Sequence, residues 1–253
     1  MDANTRLITI GPSHYCEKAR WALERAGIGY SEEPHAPLVH WLFTYAVTRT
    51  RTVPVLLTDR VRLTDSTDIL RFSDQFVPPE ARLFPTDEPL ASEVAALEAR
   101  FDHELGPLTR RLAYCYLTRD RDLFLSLFAK ALPPIERLLV TRGERVLRAA
   151  LAKAFKVSPE AAQRLRQKLH GLFGELSKKL EDGRPYLTGP RFTAADLTFI
   201  SLAEPALLLA HSEEELARLP SEFRDTVLEL RATRTGRFAL EVRARERQKI
   251  VVR

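Results

Sequence analysis

Cysteine is scarce in this sequence, and that scarcity excludes several kinds of site. The 253 residues include two cysteines, Cys16 and Cys115, which do not form a CxxC pair and have no histidines at metal-ligand spacing around them. A disulfide framework and a cysteine-based zinc site are therefore excluded, and we expect a reducing compartment and no metal ion.

Long hydrophobic runs are also missing. The apolar stretch at residues 202–210 contains Glu204 and Pro205, and it is far shorter than the roughly 20 apolar residues that a membrane-spanning helix needs. Residues 1–6 contain an acid and no extended apolar segment, so they do not resemble a signal peptide. We therefore predict a cytoplasmic protein with no membrane partner.

The charge balance is moderately basic, with 39 Lys and Arg against 34 Asp and Glu, a net charge of +5 and a pI near 9.3. Between residues 142 and 168 the basic residues alternate with apolar ones at helical intervals, which is typical of solvated helix faces. No RNA-binding aromatic signature or zinc-finger spacing accompanies them, so we predict no nucleic-acid partner. The excess charge would steer anionic substrates toward a cleft.

The first third of the chain alternates strand-like and helix-like segments. The patterns predict strands at residues 7–10, 30–33, 52–57 and 61–63, and helices at residues 15–26 and 65–75. Residues 35–50 are ambiguous between a helix and an irregular wall. The order β-α-β-α-β-β-α indicates an α/β domain whose first two strands are parallel and whose last two form a hairpin.

A proline-rich stretch separates this region from an all-helical one. Residues 77–90 contain four prolines, which favours an extended linker. We place an α/β domain at residues 1–78, a linker at 79–90 and an all-helical domain at 91–253. Helices are predicted at residues 89–117, 121–142 with Pro133 and Pro134 interrupting, and 159–180, the last with Ser158 as N-cap and Pro159 at its first position.

Two short motifs lie where predicted strands end and helices begin. Ser13 opens the first helix, where free N–H groups and the helix dipole favour an anion or a thiolate. Asp65 and Ser66 open a later helix and suit the carboxylate and ammonium of an amino-acid end. When either motif is taken alone, simple helix capping is the favoured explanation.

Two further motifs concern backbone structure. Val53-Pro54 begins a strand, where proline tends to lie at the first residue, and an X–Pro bond there can be cis. Thr193 and Asp196 form a variant of the capping box before an apolar helix. This last motif is structural and not catalytic.

The four motifs, in this order and spacing, resemble the cytosolic glutathione S-transferase superfamily along nearly the whole chain. The family has a Ser, Tyr or Cys at the start of helix one, a cis-proline before strand three, an acidic residue or Gln followed by Ser, and a Ser/Thr-x-x-Asp box in the C-terminal domain. The resemblance implies a thioredoxin-like N-terminal domain, an all-α helical-bundle C-terminal domain, and a serine-type, bacterial-like active site.

The resemblance also implies roles for individual residues. Ser13 would face the glutathione sulfur as the catalytic side chain. The Val53 backbone would pair with the cysteinyl part of glutathione, with Pro54 cis behind it, and we predict that the bond between them is cis. Asp65 and Ser66 would hold the γ-glutamyl end.

The glycine carboxylate of glutathione is harder to assign. Family members usually place a Lys, Gln or His for it in the segment that corresponds to residues 35–51, where His40, Arg49 and Arg51 all qualify. We include His40 and Tyr15 among the glutathione-binding residues. Cys16 matches the second, more interior cysteine of the glutaredoxin pattern, so it is not assigned a catalytic role.

The implied activity is conjugation of glutathione, a co-substrate, to a small hydrophobic electrophile in detoxification. The electrophile is expected near residues 103–116, with Tyr114 and Tyr116 along an apolar wall. One alternative is a glutathione-dependent thiol transferase, reductase or peroxidase, and thiol transfer would favour Cys at position 13. Another is a non-catalytic binding module. The basic region at residues 235–253 is expected to cover the second-substrate pocket or the domain junction.

The resemblance further predicts a homodimer, because family members pack the glutathione domain of one subunit on the helical domain of the other, and C₂ dimers are the commonest oligomers. Light scattering at micromolar concentration should therefore give twice the chain mass of 28.8 kDa. A monomer mass alone would contradict this prediction.

Overall fold

The computed structural model describes residues 4–247, and these form two compact units. The first comprises the chain up to Pro85 together with Phe124–Glu144, and the second comprises Thr86–Leu123 together with the chain from Arg145 onward. The first unit contains a small mixed sheet flanked by helices, and the second is helical. This is the fold class that the sequence predicts.

The first unit follows the predicted order of strands and helices. Its elements are β1 Arg6–Thr9, α1 His14–Arg25, β2 Ser31–Pro34, α2 His40–Thr48, β3 Val55–Leu57, β4 Arg62–Leu63 and α3 Ser66–Ser73, followed by 3₁₀ turns at Asp74–Phe76 and Pro79–Ala81. The segment that was ambiguous in sequence therefore contains a helix, α2. Strand β3 is shorter than predicted and starts directly after Pro54.

The sheet has the strand order β2-β1-β3-β4. Strand β1 pairs in parallel with β2, so that Thr9 lies beside Pro34. It pairs antiparallel with β3, with Ile8 opposite Val55, and β3 and β4 form the expected hairpin. The parallel pair and the hairpin predicted from the sequence are both confirmed.

The core of this unit lies between the sheet and helices α1 and α3. It contains the fully or nearly fully buried side chains of Leu7, Ala19, Leu23, Ile28, Leu56 and Ile69. Ala19 and Leu23 lie one turn apart on α1, and Leu7 and Leu56 are direct cross-strand partners. Burying an aliphatic side chain of this size stabilises the fold by about 1.5–3 kcal/mol.

The segment Phe124–Glu144 belongs to the first unit through one buried carboxylate. Glu136 Oε1 lies 2.7 Å from His35 Nδ1, and Glu136 Oε2 accepts the Ala36 N–H at 2.8 Å. All three residues are buried. Since an unpaired polar group would be costly here, the two bonds hold this segment against the turn that follows β2.

The remaining helices continue along the chain with short connections. They are α4 Leu90–Arg100, α5 Gly106–Leu117, α6 Arg121–Phe128, α7 Pro134–Ala154, α8 Pro159–Lys179, α9 Ala194–Leu207, α10 Glu213–Ala217, α11 Ser221–Ala232 and α12 Arg234–Glu246. A π-helical turn, Phe101–Leu105, joins α4 to α5. The helix predicted at residues 89–117 is therefore continuous only through a widened turn, and α7 extends beyond the predicted end at residue 142.

Two predicted helix starts are confirmed. Ser158 caps α8, and its Oγ accepts the Ala161 N–H at 3.0 Å, with Pro159 in the first turn. The capping box before α9 is present, with Asp196 Oδ2 accepting the Thr193 N–H at 2.9 Å. Asp196 Oδ1 also accepts the Leu187 N–H at 2.7 Å, so this carboxylate ties the preceding loop to the helix.

The region predicted as a basic extension, residues 235–253, is described up to Arg247. Most of it is helix α12. Thr235 is fully buried and donates to the Phe173 carbonyl at 2.8 Å, so the start of this region packs inside the helical unit. Residues 248–253 lie outside the described part of the chain, and the proposed covering role stays a prediction.

The buried Asp196 predicts a pH dependence of stability. Burial raises its pKa from 3.8 to about 6, so the folded state binds a proton more tightly than the unfolded state. Its favourable contribution is complete below pH 3.8 and is lost as the pH rises through 6. Relative to Asp196→Asn, the wild type should lose about 3 kcal/mol of unfolding free energy over this range.

Urea denaturation at several pH values measures this difference. Asp225→Asn, at an exposed position in α11, controls for background titration. The unfolding free energy of the wild type minus that of Asp196→Asn should fall as the pH rises. If this difference were constant or increased with pH, the raised pKa of Asp196 would be contradicted. Asp196→Ala should in addition lower stability by about 0.5–2 kcal/mol, as loss of a helix cap does.

Candidate functional site

The predicted site residues of the first unit lie at one edge of the sheet. Strand β1 ends at Thr9 and leads into Ser13, and β3 begins immediately after Val53 and Pro54. Strand β4 ends at Leu63, opposite Leu56, and leads into the N-terminus of α3. Because β3 is antiparallel to both neighbours, the end of β1, the start of β3 and the end of β4 meet at the same edge.

Ser13 is the N-cap of α1. Its backbone is extended, with φ −72° and ψ 121°, and its Oγ accepts the Cys16 N–H at 3.4 Å. The hydroxyl proton is then available to a ligand, since the oxygen acts as the acceptor in the cap. The side chain is half-buried, and the first-turn N–H groups of α1 create a positive end beside it.

Cys16 lies on the inner side of the same helix. It is fully buried, and burial raises the pKa of its thiol. A buried thiol with a raised pKa carries little thiolate and is a poor nucleophile. The absence of a catalytic role for Cys16 stays a prediction.

The peptide bond between Val53 and Pro54 is cis, as predicted. Pro54 is buried, and Val53 is partly exposed. Neither residue belongs to β3, which begins at Val55. Both therefore lie at the sheet edge, next in the chain to the paired part of the strand.

Asp65 and Ser66 begin α3. Asp65 is the N-cap, and its Oδ1 accepts the Thr67 N–H at 2.8 Å. Its side chain is exposed, whereas Ser66 is buried. Capping and ligand binding are compatible here, because a carboxylate has more acceptor sites than one cap bond uses.

The structure places His40 and Arg51 against one another. His40 is buried at the start of α2, and its Nε2 lies 3.1 Å from the Arg51 carbonyl oxygen. Burial lowers the pKa of the imidazole. The Arg51 side chain is exposed, and its guanidinium carbon lies 5.3 Å from the centroid of the Trp41 ring.

Tyr15 is the second residue of α1 and is partly exposed. Its ring centroid lies 4.5 Å from that of the buried His14, with the planes tilted by 49°. It therefore lies in the first turn of α1, two residues after Ser13.

Two basic residues that the sequence analysis missed stabilise this edge. Lys18 is fully buried and donates from Nζ to Thr67 Oγ1 at 2.9 Å, which links α1 to the first turn of α3. Lys18 precedes Ala22 by one helical turn, and that position on the apolar stripe is the available sequence signal.

The second is Arg20, which holds the turn before Ser13. Its guanidinium donates to Glu32 Oε1 at 2.9 and 2.6 Å and to the Gly11 carbonyl at 3.1 Å. Thr9 Oγ1 donates to the same Glu32 oxygen at 2.7 Å. Side chains from β1, α1 and β2 therefore converge with the Gly11 carbonyl and restrict the position of the turn.

The helical unit contains a separate open cavity of about 490 Å³. Its lining includes Arg100, His103, Leu108, Arg111, Lys168 and Glu175. Tyr114 and Tyr116, expected to form an apolar wall, do not line it. Their rings stack on Phe155 at 4.4 Å and on Phe223 at 4.6 Å, and both therefore pack within the unit.

Two kinds of feature are absent from residues 4–247. No group of three or more His, Cys, Asp or Glu residues in this range is arranged to hold a metal ion. None of the helices in the same range is both long and apolar enough to cross a bilayer.

Comparison with known proteins identifies the N-terminal region. Residues 12–75 match the family of glutathione S-transferase N-terminal domains, a range that contains Ser13, Val53, Pro54, Asp65 and Ser66. No curated protein sequence matches this chain.

Solved structures share the fold along almost the whole chain. The β-etherase LigF from Sphingobium sp. strain SYK-6 has a TM-score of 0.61 at 15% identity, with 94% of this chain and 99% of that one covered. Poplar glutathione transferase F1 has a TM-score of 0.57 at 14% identity, with 96% and 99% covered. A glutathione S-transferase from Rhodospirillum rubrum F11 has a TM-score of 0.56 at 20% identity, with 93% and 91% covered.

The identities are too low to transfer an activity, but the fold and the domain match agree with the motif order read from the sequence. Residues 12–75 are therefore similar to glutathione S-transferase N-terminal domains, and the chain shares its fold with solved glutathione transferases.

Proposed function

We propose that this protein is a cytoplasmic, serine-type glutathione transferase, which conjugates the thiolate of glutathione to a small hydrophobic electrophile. The observation that carries the proposal is the convergence of two helix N-termini, those of α1 and α3, at one sheet edge, each with a hydroxyl or carboxylate side chain at its cap. Such an edge can hold an anionic sulfur at one helix and a zwitterionic amino-acid end at the other.

The sulfur end of the site would be at Ser13. A free thiol has a pKa near 8.5, and only the thiolate attacks an electrophile efficiently. The Ser13 hydroxyl would donate to the sulfur while its oxygen keeps the bond from the Cys16 N–H. Together with the dipole of α1, this donor would lower the pKa of the bound thiol, as preorganised donors stabilise an oxyanion.

The γ-glutamyl end would lie at the start of α3. Its carboxylate would meet the first-turn N–H groups and the Ser66 hydroxyl, and its ammonium would meet the exposed Asp65 carboxylate. The bond from Lys18 to Thr67 would fix this turn relative to Ser13. The Val53 backbone, between the two helix ends, would pair with the cysteinyl part.

For the glycine carboxylate we now favour Arg51 over His40. The His40 ring is buried and directs Nε2 to a backbone carbonyl, so it presents no donor to solvent from that atom. Arg51 is exposed and lies two residues before Val53. A guanidinium also binds a carboxylate with two parallel hydrogen bonds.

The chemical step is a nucleophilic substitution or addition. The thiol proton passes to solvent as the thiolate forms. The sulfur lone pair then forms a C–S bond with the electrophilic carbon, and in a substitution the leaving group departs with its bonding electron pair. The product is a thioether conjugate. In this scheme Ser13 stabilises charge and forms no covalent bond.

Two alternatives differ in what they require of this edge. Thiol transfer or reduction would use a cysteine that forms a mixed disulfide with glutathione, but Ser13 is at the helix start and Cys16 is fully buried. A non-catalytic module would bind glutathione without lowering the pKa of its thiol. Calorimetry with glutathione, followed by assays with a panel of electrophiles, distinguishes the non-catalytic module from a transferase.

Ser13→Ala should lower kcat/KM for conjugation by about 10–1,000-fold, the upper range being that of one lost oxyanion donor. The reason is that the bound thiol loses the hydroxyl donor to its sulfur. Its apparent pKa, followed by thiolate absorbance, should rise, while the Kd for glutathione should change far less.

Two further variants test the same assignment. Ser13→Cys should gain thiol transfer, because a thiol at a helix N-terminus has a lowered pKa. Cys16→Ser should be nearly silent in both assays. Full conjugating activity in Ser13→Ala, or a loss only in Cys16→Ser, would show that Ser13 is not the catalytic residue.

Arg51→Ala should raise the KM for glutathione by about tenfold or more with little change in kcat, since a charged hydrogen bond is worth about 1.5–3 kcal/mol and binds ground and transition states equally. Arg49→Ala is the matched control, because both guanidinium groups are exposed and lie near the Tyr45 ring, at 5.4 Å for Arg49 and 6.0 Å for Arg51. An equal effect in both variants would contradict the assignment of Arg51.

A further inference from the structure

Helix α7 has its polar and apolar faces reversed within the first unit. A soluble helix normally turns its apolar stripe inward. Here the buried positions recur every four residues, at Glu136, Val140 and Glu144. The exposed positions include Ile135, Leu138 and Leu139, with 75%, 49% and 58% of their surface accessible. Aliphatic side chains at spacing i, i+3 and i+4 thus form a continuous outward stripe.

Helix α2 shows the same reversal. Its buried residues are His40 and Thr44. Trp41, Leu42 and Phe43 are exposed by 39%, 74% and 42%. The helix is among the more hydrophobic segments of the chain and contains no charged side chain between His40 and Thr48.

The two reversed helices are connected directly. Glu136, in the first turn of α7, bonds to His35 Nδ1 and to the Ala36 N–H. The His35 ring in turn stacks on Phe43 of α2, with centroids 3.6 Å apart and planes 11° apart. The exposed apolar side chains of the two helices are together called the apolar face here: Trp41, Leu42, Phe43, Ile135, Leu138 and Leu139.

The exposed charges of the two segments that contain the apolar face have one sign. Residues 35–58 and 124–144 contain two acidic side chains, Glu136 and Glu144, and both are buried. The exposed charged residues of these two ranges are all basic: Arg49, Arg51, Lys130, Arg137 and Arg142. A large exposed apolar patch in a monomer marks an interaction site, and the exposed charges of the same two segments favour a partner with negative charge.

We propose that the apolar face binds the surface of an anionic lipid bilayer. Tryptophan, phenylalanine and leucine side chains bordered by arginine and lysine are the composition of segments that lie in the membrane interface, with the apolar groups among the acyl chains and the cations at the headgroups. A second copy on the same face would bring two cationic rims together. The contact is peripheral, and it revises the sequence-based prediction of no membrane partner.

Flotation of the full chain with vesicles tests the proposal. The wild type should float with vesicles of phosphatidylglycerol and phosphatidylcholine in equal amounts and remain unbound with phosphatidylcholine alone. Binding should weaken as salt is added, because screening shortens the range of the attraction to the lipid headgroups. Failure of the wild type to float with the anionic vesicles would overturn the proposal.

Two matched pairs of variants separate the apolar from the ionic contribution to vesicle binding. Leu42→Asp should reduce vesicle partitioning by about tenfold or more, as expected for removing a buried leucine. Leu228→Asp makes the same change at an exposed site on α11 and should leave it unchanged. Arg142→Glu should reduce it by about fivefold or more, and Arg218→Glu, also exposed, should have a smaller effect.

Thermal unfolding of each variant shows whether it remains folded. If Leu42→Asp does not fold, Leu139→Asp provides a second test, on α7. Equal partitioning of the Leu42 and Leu228 variants would contradict the assignment of this face. Light scattering without vesicles provides the other decisive outcome. An oligomer that Leu42→Asp dissociates would assign the face to a second copy and overturn the lipid proposal.

Discussion

The pairing of β1 with two neighbours of opposite direction is the constraint on which the candidate site depends. Because β2 is parallel to β1 and β3 is antiparallel to it, the chain must cross over through α1 and then reverse. The end of β1, the start of β3 and the end of β4 are therefore forced to one edge. Every residue proposed to touch glutathione is within a few residues of that edge along the chain.

Buried polar groups then determine how precisely that edge is built. Lys18 fixes the first turn of α3 to α1, and Arg20 fixes the turn before Ser13 to β2 through Glu32. The bonds from Lys18 to Thr67 and from Arg20 to the Gly11 carbonyl are partly shielded from water, where a lost partner would cost more than on the surface. The site residues themselves can therefore be small and polar, because Lys18 and Arg20 hold the backbone segments that contain them.

The segment around α7 shows the same use of buried charge for a different result. Glu136 satisfies both His35 and the Ala36 N–H, so the polar side of the helix is directed inward and its aliphatic side outward. This arrangement gives up burial of several leucine and isoleucine side chains, each worth about 1.5–3 kcal/mol. Such a loss is understandable if the outward face is covered in function, and the basic side chains exposed by the same segments favour an anionic surface as the cover.

The sequence by itself determined the order of strands and helices, the parallel pair and hairpin, and the caps at Ser13, Ser158 and Thr193. These follow from local chemistry: hydrophobic period, turn residues and capping side chains act over a few neighbouring positions. Only the tertiary structure decided that Lys18 is buried, that His40 turns toward a backbone carbonyl, and that Glu136 reaches a turn about a hundred residues away. Those outcomes depend on pairs of groups distant in sequence, because a polar residue is buried only where another part of the chain supplies its hydrogen bond.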